Sequence, residues 1–327
     1  MATLSGTLGP GATRGGRDLR SLVAPAFRLT FLLVLTVALS LMSPNFLTWN
    51  NIINVLRQST LLVIVGMGLT AVILTAGIDL SVGGVVALAG CMAGQFLKAG
   101  APIPVAMLSG LAVGTAIGAF NGIMVGVVRL PPFVATYGSM WVAEGLALLL
   151  MQGQIIFGFP TRYRWIGTGY VGPIPVPIII TVVLALAFEL FLLKTVSGRN
   201  IYLLGANRDA AYYSGIKVRR TTIFVYTVSG LTASIAGLLM TARLDAAELG
   251  MGDSFLIQGI AATVMGGTSL MGGEGRISGT VIGAIILTLV VNGLNLMGVP
   301  ALWHQVVIGT VILSAVFIDL TMKRWAE

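Results

Sequence analysis

Residues 195–222, TVSGRNIYLLGANRDAAYYSGIKVRRTT, decide how the whole chain is read. Lys194, Arg199, Arg208, Lys217, Arg219 and Arg220 fall within this stretch or at its edge, beside a single acid, Asp209. Apolar runs lie on both sides, long enough for the roughly 20 residues that a bilayer span requires. A loop so rich in Lys and Arg between two spans faces the cytoplasm. Within it, Asn207-Arg208-Asp209-Ala210-Ala211-Tyr212-Tyr213-Ser214-Gly215 has the form of a short helix. Asn207 caps it, the two alanines favour it and Gly215 stops it. Two readings stand at this point: a solvated connector, and a docking helix for a cytoplasmic partner.

The rest of the composition fits a membrane setting. Of 327 residues, 56% are hydrophobic and 9% charged, with a mean hydropathy of +0.97. A soluble domain carries about 25% charged residues, so the chain is read as an integral membrane protein. The net charge of +8 comes without a basic patch interleaved with aromatics, which argues against a nucleic-acid partner. Cys91 is the only cysteine and His304 the only histidine. An intramolecular disulfide is therefore impossible, and no metal site is expected. Residues 1–20 are too polar for a signal peptide and are read as a disordered cytoplasmic leader, with 21–327 as the transmembrane domain.

Charge-free intervals predict an all-α polytopic bundle of about ten spans. They cover 26–42, 59–74, 82–97, 104–128, 133–151, 175–193, 223–241, 255–266, 277–297 and 302–320, and 47–58 is read as interfacial. With the N-terminus inside, fourteen of the 19 Lys and Arg fall inside. Arg57, Lys98, Arg162, Arg164 and Arg243 remain outside. This split obeys the positive-inside rule and places both termini in the cytoplasm.

Three features suggest more than an inert bundle. Gly110, Gly114, Gly118, Gly122 and Gly126 recur every four residues, a smooth ridge suited to close helix packing. Residues 75–84, TAGIDLSVGG, break the chain between two spans with an acid, a serine and three glycines. Asp79 and Ser81 either cap the next helix or face a polar pathway; irregular backbone at membrane depth needs protein or water over it. Residues 265–276, MGGTSLMGGEGR, form a second glycine-rich break that carries Thr268 and Ser269. Interrupted segments in both halves point to a transport route between them. Glu144 lies within a span and Glu189 near the inner end of one, where a structural role fits better. Asn121, Gln258, Asn292 and Asn295 can hydrogen-bond a neutral polar solute, or each other across helices. The chain has no G-x-x-x-x-G-K-[ST] phosphate loop, no H-E-x-x-H and no second aspartate facing Asp79. No enzymatic chemistry is expected of it.

Three segments, LTAGIDLSVGGVVALAG (74–90), SGRNIYLLGANRDAAYYSGI (197–216) and IAATVMGGTSLMGGEGRISGTVIGAIIL (260–287), resemble the permease subunit of bacterial sugar ABC importers. The nearest likeness is to the ribose-type branch of the superfamily that also holds branched-chain amino acid permeases. The resemblance spans about 42–319. It implies a type II importer architecture and a homodimer or a pair of related permeases in the inner membrane. It also implies two partner ATPase subunits that hold ATP and magnesium, and a periplasmic sugar-binding protein. This chain itself needs no cofactor. The resemblance further implies that 194–222 is the coupling loop, with Asn207, Arg208, Asp209, Ala210, Ala211, Ser214 and Gly215 engaging the ATPase. Two other cargoes, nucleosides and branched-chain amino acids, stay open. So does a different class, an ion-coupled secondary transporter using Asp79 and Glu144.

Overall fold

The computed structural model describes residues 15–326; residues 1–14 of the expected leader lie outside the described residues. The helices, in chain order, are α1 (Gly15–Met42), α2 (Trp49–Leu74), α3 (Val82–Lys98), α4 (Ile103–Ile123) and α5 (Pro132–Met151). They continue with α6 (Thr161–Thr168), α7 (Val176–Lys194), α8 (Val196–Ala206), α9 (Arg208–Tyr213) and α10 (Val218–Leu244). The last three are α11 (Asp253–Met265), α12 (Ile277–Leu296) and α13 (His304–Ala326). Pro132 opens α5, at a position where the missing N–H has no helical partner to lose. α4 runs into a π-helical turn, Met124–Val128, and stops where Arg129 adopts φ +66° ahead of Pro131 and Pro132.

Among the described residues, six helices are long and apolar enough to cross a membrane: α2, α4 with its π-turn, α5, α7, α10 and α12. Arg28–Met42, α3, α11 and Ala301–Ser314 are apolar but shorter. Six of the ten expected spans are therefore present at full length. α2 is the most enclosed of the six and forms the centre of the bundle; α7 is the least.

Two expectations are corrected. Residues 47–58 are not a separate interfacial segment, because α2 runs unbroken from Trp49 to Leu74. Two of its polar residues are held by protein. Asn51 and Asn292 exchange two hydrogen bonds (3.0 and 2.8 Å), and the Arg57 guanidinium lies 5.0 Å from the Tyr170 ring centre. The fold is also not purely helical. Ile156–Phe157 pairs antiparallel with Ala246–Ala247, and Tyr170–Val171 with Ile174–Pro175. These two-residue ladders fasten the long connection that also contains α6.

The glycine ridge of α4 lies along α10. A Cβ on Gly114 would come 2.6 Å from Ser234 Cβ, and one on Gly122 would come 2.6 Å from Ile223 Cα. On Gly118 it would meet the Tyr226 carbonyl. Towards the ends of the ridge, a Cβ on Gly110 would come 2.7 Å from the Ala89 carbonyl of α3, and one on Gly126 would crowd Arg219 and Thr222. The two backbones touch with no side chain between them, which is how small residues gain dispersion contact where lipid offers no hydrophobic drive.

Candidate functional site

One end of the bundle carries the basic loop and is built upward from α7. Thr195 caps α8 by accepting the Gly198 amide (3.0 Å), while Ile201 and Leu204 hold α8 in the core. Only Asn207 separates α8 from α9, and its Oδ1 accepts the Ala210 amide at 2.9 Å. Gly215, at φ +82°, follows α9 and lets the chain turn towards α10. Within α9 only Ala211 is buried. Tyr212 and Tyr213 are 67% and 85% exposed, flanked by exposed Arg208 and Asp209. The helix keeps its shape through its caps and presents aromatic and arginine side chains, the types enriched in protein interfaces. A cleft of about 1290 Å³ separates it from the α4–α5 corner, with Arg129, Arg219 and Arg220 in its walls.

Both glycine-rich breaks meet directly behind this helix. The Gly273 amide donates to the Leu74 carbonyl at 2.9 Å. Gly205, in the last turn of α8, sits where a Cβ would strike the Leu74 carbonyl and lie 2.6 Å from Gly273 N. The Tyr202 hydroxyl donates to the Gly275 carbonyl at 2.9 Å. Burial, joined by Glu189 nearby, pushes the Tyr202 phenol above its usual pKa and keeps it a donor. Glu189 accepts the Ile277 amide at 2.7 Å and the Ser278 hydroxyl at 3.1 Å. A carboxylate there satisfies a free N–H of α12 and complements its dipole.

Asp79 is fully buried. Its Oδ1 accepts the Ser81 amide (2.9 Å) and the Ser81 hydroxyl (2.6 Å), and Ser81 Oγ in turn accepts from Asn121 Nδ2 at 2.9 Å. The first pair forms an Asx-type turn that starts α3, and the last bond pins α4 to it. Tyr226 closes the break from α10 by donating to the Ile78 carbonyl (3.2 Å).

A second polar group lies half-way through the bundle. Past Ala247, packed at Gly94 near the end of α3, the chain runs beside α3 to Met251 at Gly90 and Gly252 at Gly83. Gly84 abuts Met140 and Ala143, the middle of α5. α11 therefore starts near mid-depth, which explains its length of 13 residues. Asp253 and Ser254 are exposed at its start, Gln258 is half-exposed one turn on, and Glu144 on α5 is half-exposed within electrostatic range of Asp253. Sequence reasoning selected Glu144 but missed Asp253, because the depth of 247–253 is set by packing on α3.

A family model described as "Branched-chain amino acid transport system / permease component" matches residues 51–316. The chain belongs to that permease family. It is 42% identical to the ribose import permease protein RbsC of Haemophilus influenzae over 80% of this chain and 82% of that one. To the D-allose transport system permease protein AlsC of Escherichia coli it is 40% identical, over 80% and 81%. To the galactofuranose transporter permease protein YtfT of Escherichia coli it is 35% identical, over 80% and 79%. No solved structure matches the chain. The chain is thus a multi-pass transport subunit and not an enzyme.

Other selected residues of the permease fall elsewhere. Asn292 is buried and committed to Asn51, whereas Asn295 is exposed one turn further along α12. Thr268 is buried under Gly275 with its hydroxyl unpartnered, and Ser269 accepts the Met271 amide (3.3 Å) within the second break. At the end of the permease remote from α9, Arg164 pairs with Asp245 (3.4 Å), whose other oxygen accepts the Phe159 amide (2.8 Å). Arg57 bonds the Tyr170 hydroxyl and lies within electrostatic range of Arg243. These three guanidiniums, with Arg162 on α6, therefore share this end, though the sequence shows them only as dispersed loop and helix-end charges.

Proposed function

We propose that this permease is the membrane-spanning subunit of an ATP-driven importer for a ribose-like monosaccharide in the bacterial inner membrane. The observation that carries the proposal is 42% identity to a ribose import permease over about four fifths of both chains. In this reading α9 lies in the cytoplasm with both termini, and the chain crosses ten times, using α3 and α11 as partial spans. α9 docks on a partner ATPase, which holds the ATP and magnesium. A six-residue capped helix suits that role, since a flexible loop would absorb ATPase motion.

The opposite end then faces the periplasm. There Arg57, Arg164 and Arg243 offer positive charge beyond what Asp245 neutralises, which suits an acidic contact from a sugar-binding protein. Glu144, Asp253, Ser254 and Gln258 are too polar to meet hydrocarbon at mid-depth. We place the translocation route along this face, against a second copy of the permease or a paralogue. Carboxylates and an amide accept hydrogen bonds from sugar hydroxyls, and the acids disfavour anionic cargo. The test is an Arg208→Ala/Asp209→Ala double variant. Loss of ribose uptake with normal membrane insertion supports the proposal, and wild-type uptake would remove the docking role of α9.

A further inference from the structure

We infer that Gly205 and Tyr202 are positioning residues through which movement of α9 reaches both helix breaks. The inference rests on the proposed ATPase coupling. With one of its six residues buried, α9 passes force on mainly through the chain at its two ends. Towards α10 the link contains Gly215 at φ +82° and a non-helical Lys217. Towards α8 the only residue between helices is Asn207, itself locked as a cap. The stiffer exit is α8.

Two contacts transmit what α8 receives. Gly205 touches the Leu74 carbonyl and the Gly273 amide backbone to backbone, and close-packed contacts without an intervening side chain give little under load. Gly272 adds to this seat, since a Cβ there would lie 2.9 Å from both the Gly205 carbonyl and Ala76 N. One turn earlier, Tyr202 holds the Gly275 carbonyl, next to the start of α12. The first break ends α2 and leads into α3. The second joins α11 to α12. A shift of α8 therefore displaces the same half-spans, α3 and α11, whose starts lie together beside the mid-depth acids. Neither residue contacts those acids, so their role is to couple and not to bind cargo.

The test compares Gly205→Ala and Tyr202→Phe with wild type, each as the full complex of permease, partner ATPase and ribose-loaded binding protein in liposomes. Three quantities are read: ATPase co-purified per permease, basal ATP hydrolysis, and ribose moved per ATP. We expect unchanged co-purification and basal hydrolysis, with ribose per ATP falling roughly tenfold in Gly205→Ala and severalfold in Tyr202→Phe. A residue that merely supports the fold would lower assembly and uptake together and leave the ratio intact. Should Gly205→Ala fail to fold, Tyr202→Phe decides alone. An unchanged ratio, or loss of the ATPase from both variants, overturns the inference. Failure of the wild-type permease to bring down any ATPase would overturn the proposed function as well, which separates the two.

Discussion

The Gly273 amide donates to the Leu74 carbonyl at 2.9 Å, which ties the second glycine-rich break to the end of the central helix of the bundle. These residues lie far apart in sequence, and the last turn of α8 packs against both. The interruptions in the two halves of the chain therefore form one junction beside the exposed helix α9.

We propose that Asp79 serves to start α3, through the bonds its Oδ1 accepts from the Ser81 amide and hydroxyl, and does not carry an ion. Asparagine has the same acceptor oxygen for the Ser81 amide, so Asp79→Asn should keep ribose uptake near wild type. Asp79→Leu removes the acceptor of that amide and of the Ser81 hydroxyl proton and should cost about 1–3 kcal/mol of stability. Thermal melting in detergent together with uptake decides. Loss of uptake in a stable Asp79→Asn protein would revive the ion-coupled reading.

The α4–α10 contact tolerates no added volume. Gly118→Val should destabilise by about 1–3 kcal/mol through overpacking against Tyr226 and Gly230. Gly145→Val on α5, where a Cβ would have no neighbour within 4 Å, is the matched control. Equal melting temperatures for the two variants would contradict the packing.

Asn51 and Asn292 join α2 to α12 by bonding each other, and Asn51 also donates to the Phe46 carbonyl (2.8 Å). Their alanine variants should be non-additive, with a coupling of about 0.6–2 kcal/mol in a double-mutant cycle, the range found for bonds between membrane helices. Additive losses would show that the two amides are not coupled and would contradict the paired bonds.

Reversing charge at the end remote from α9 should weaken capture of the binding protein. Arg243→Glu is expected to slow association and reduce its salt dependence, while basal ATP hydrolysis stays unchanged. Surface plasmon resonance on nanodisc-held permease at two salt concentrations reads this directly. Unaltered association would remove the arginine group from the docking surface.

Much of the fold was legible because its signals are local. Val82–Lys98 follows a break and ends at a lysine; α9 is fixed by a cap at Asn207 and a glycine at 215. Glu189 fits its expected structural role because its position near a helix end made the reading possible. The start of α2 was misread because the helix runs unbroken from Trp49, and the partners of its polar residues, such as Asn292 for Asn51, lie far away in sequence. Asp253 went unseen because only contacts with Gly83 and Gly90 place its segment deep in the bundle. The meeting of Leu74, Gly205 and Gly273 had no sequence signal beyond the glycines themselves, since long-range backbone contact leaves no periodicity.

In the proposed function, ATP hydrolysis on a partner chain drives a sugar through this permease. The most direct measurement is ribose accumulation in sealed liposomes holding the co-purified complex and loaded binding protein, with ATP supplied on the α9 side. Uptake should require hydrolysable ATP and be indifferent to collapse of proton and sodium gradients. Accumulation without ATP that follows either gradient would contradict it.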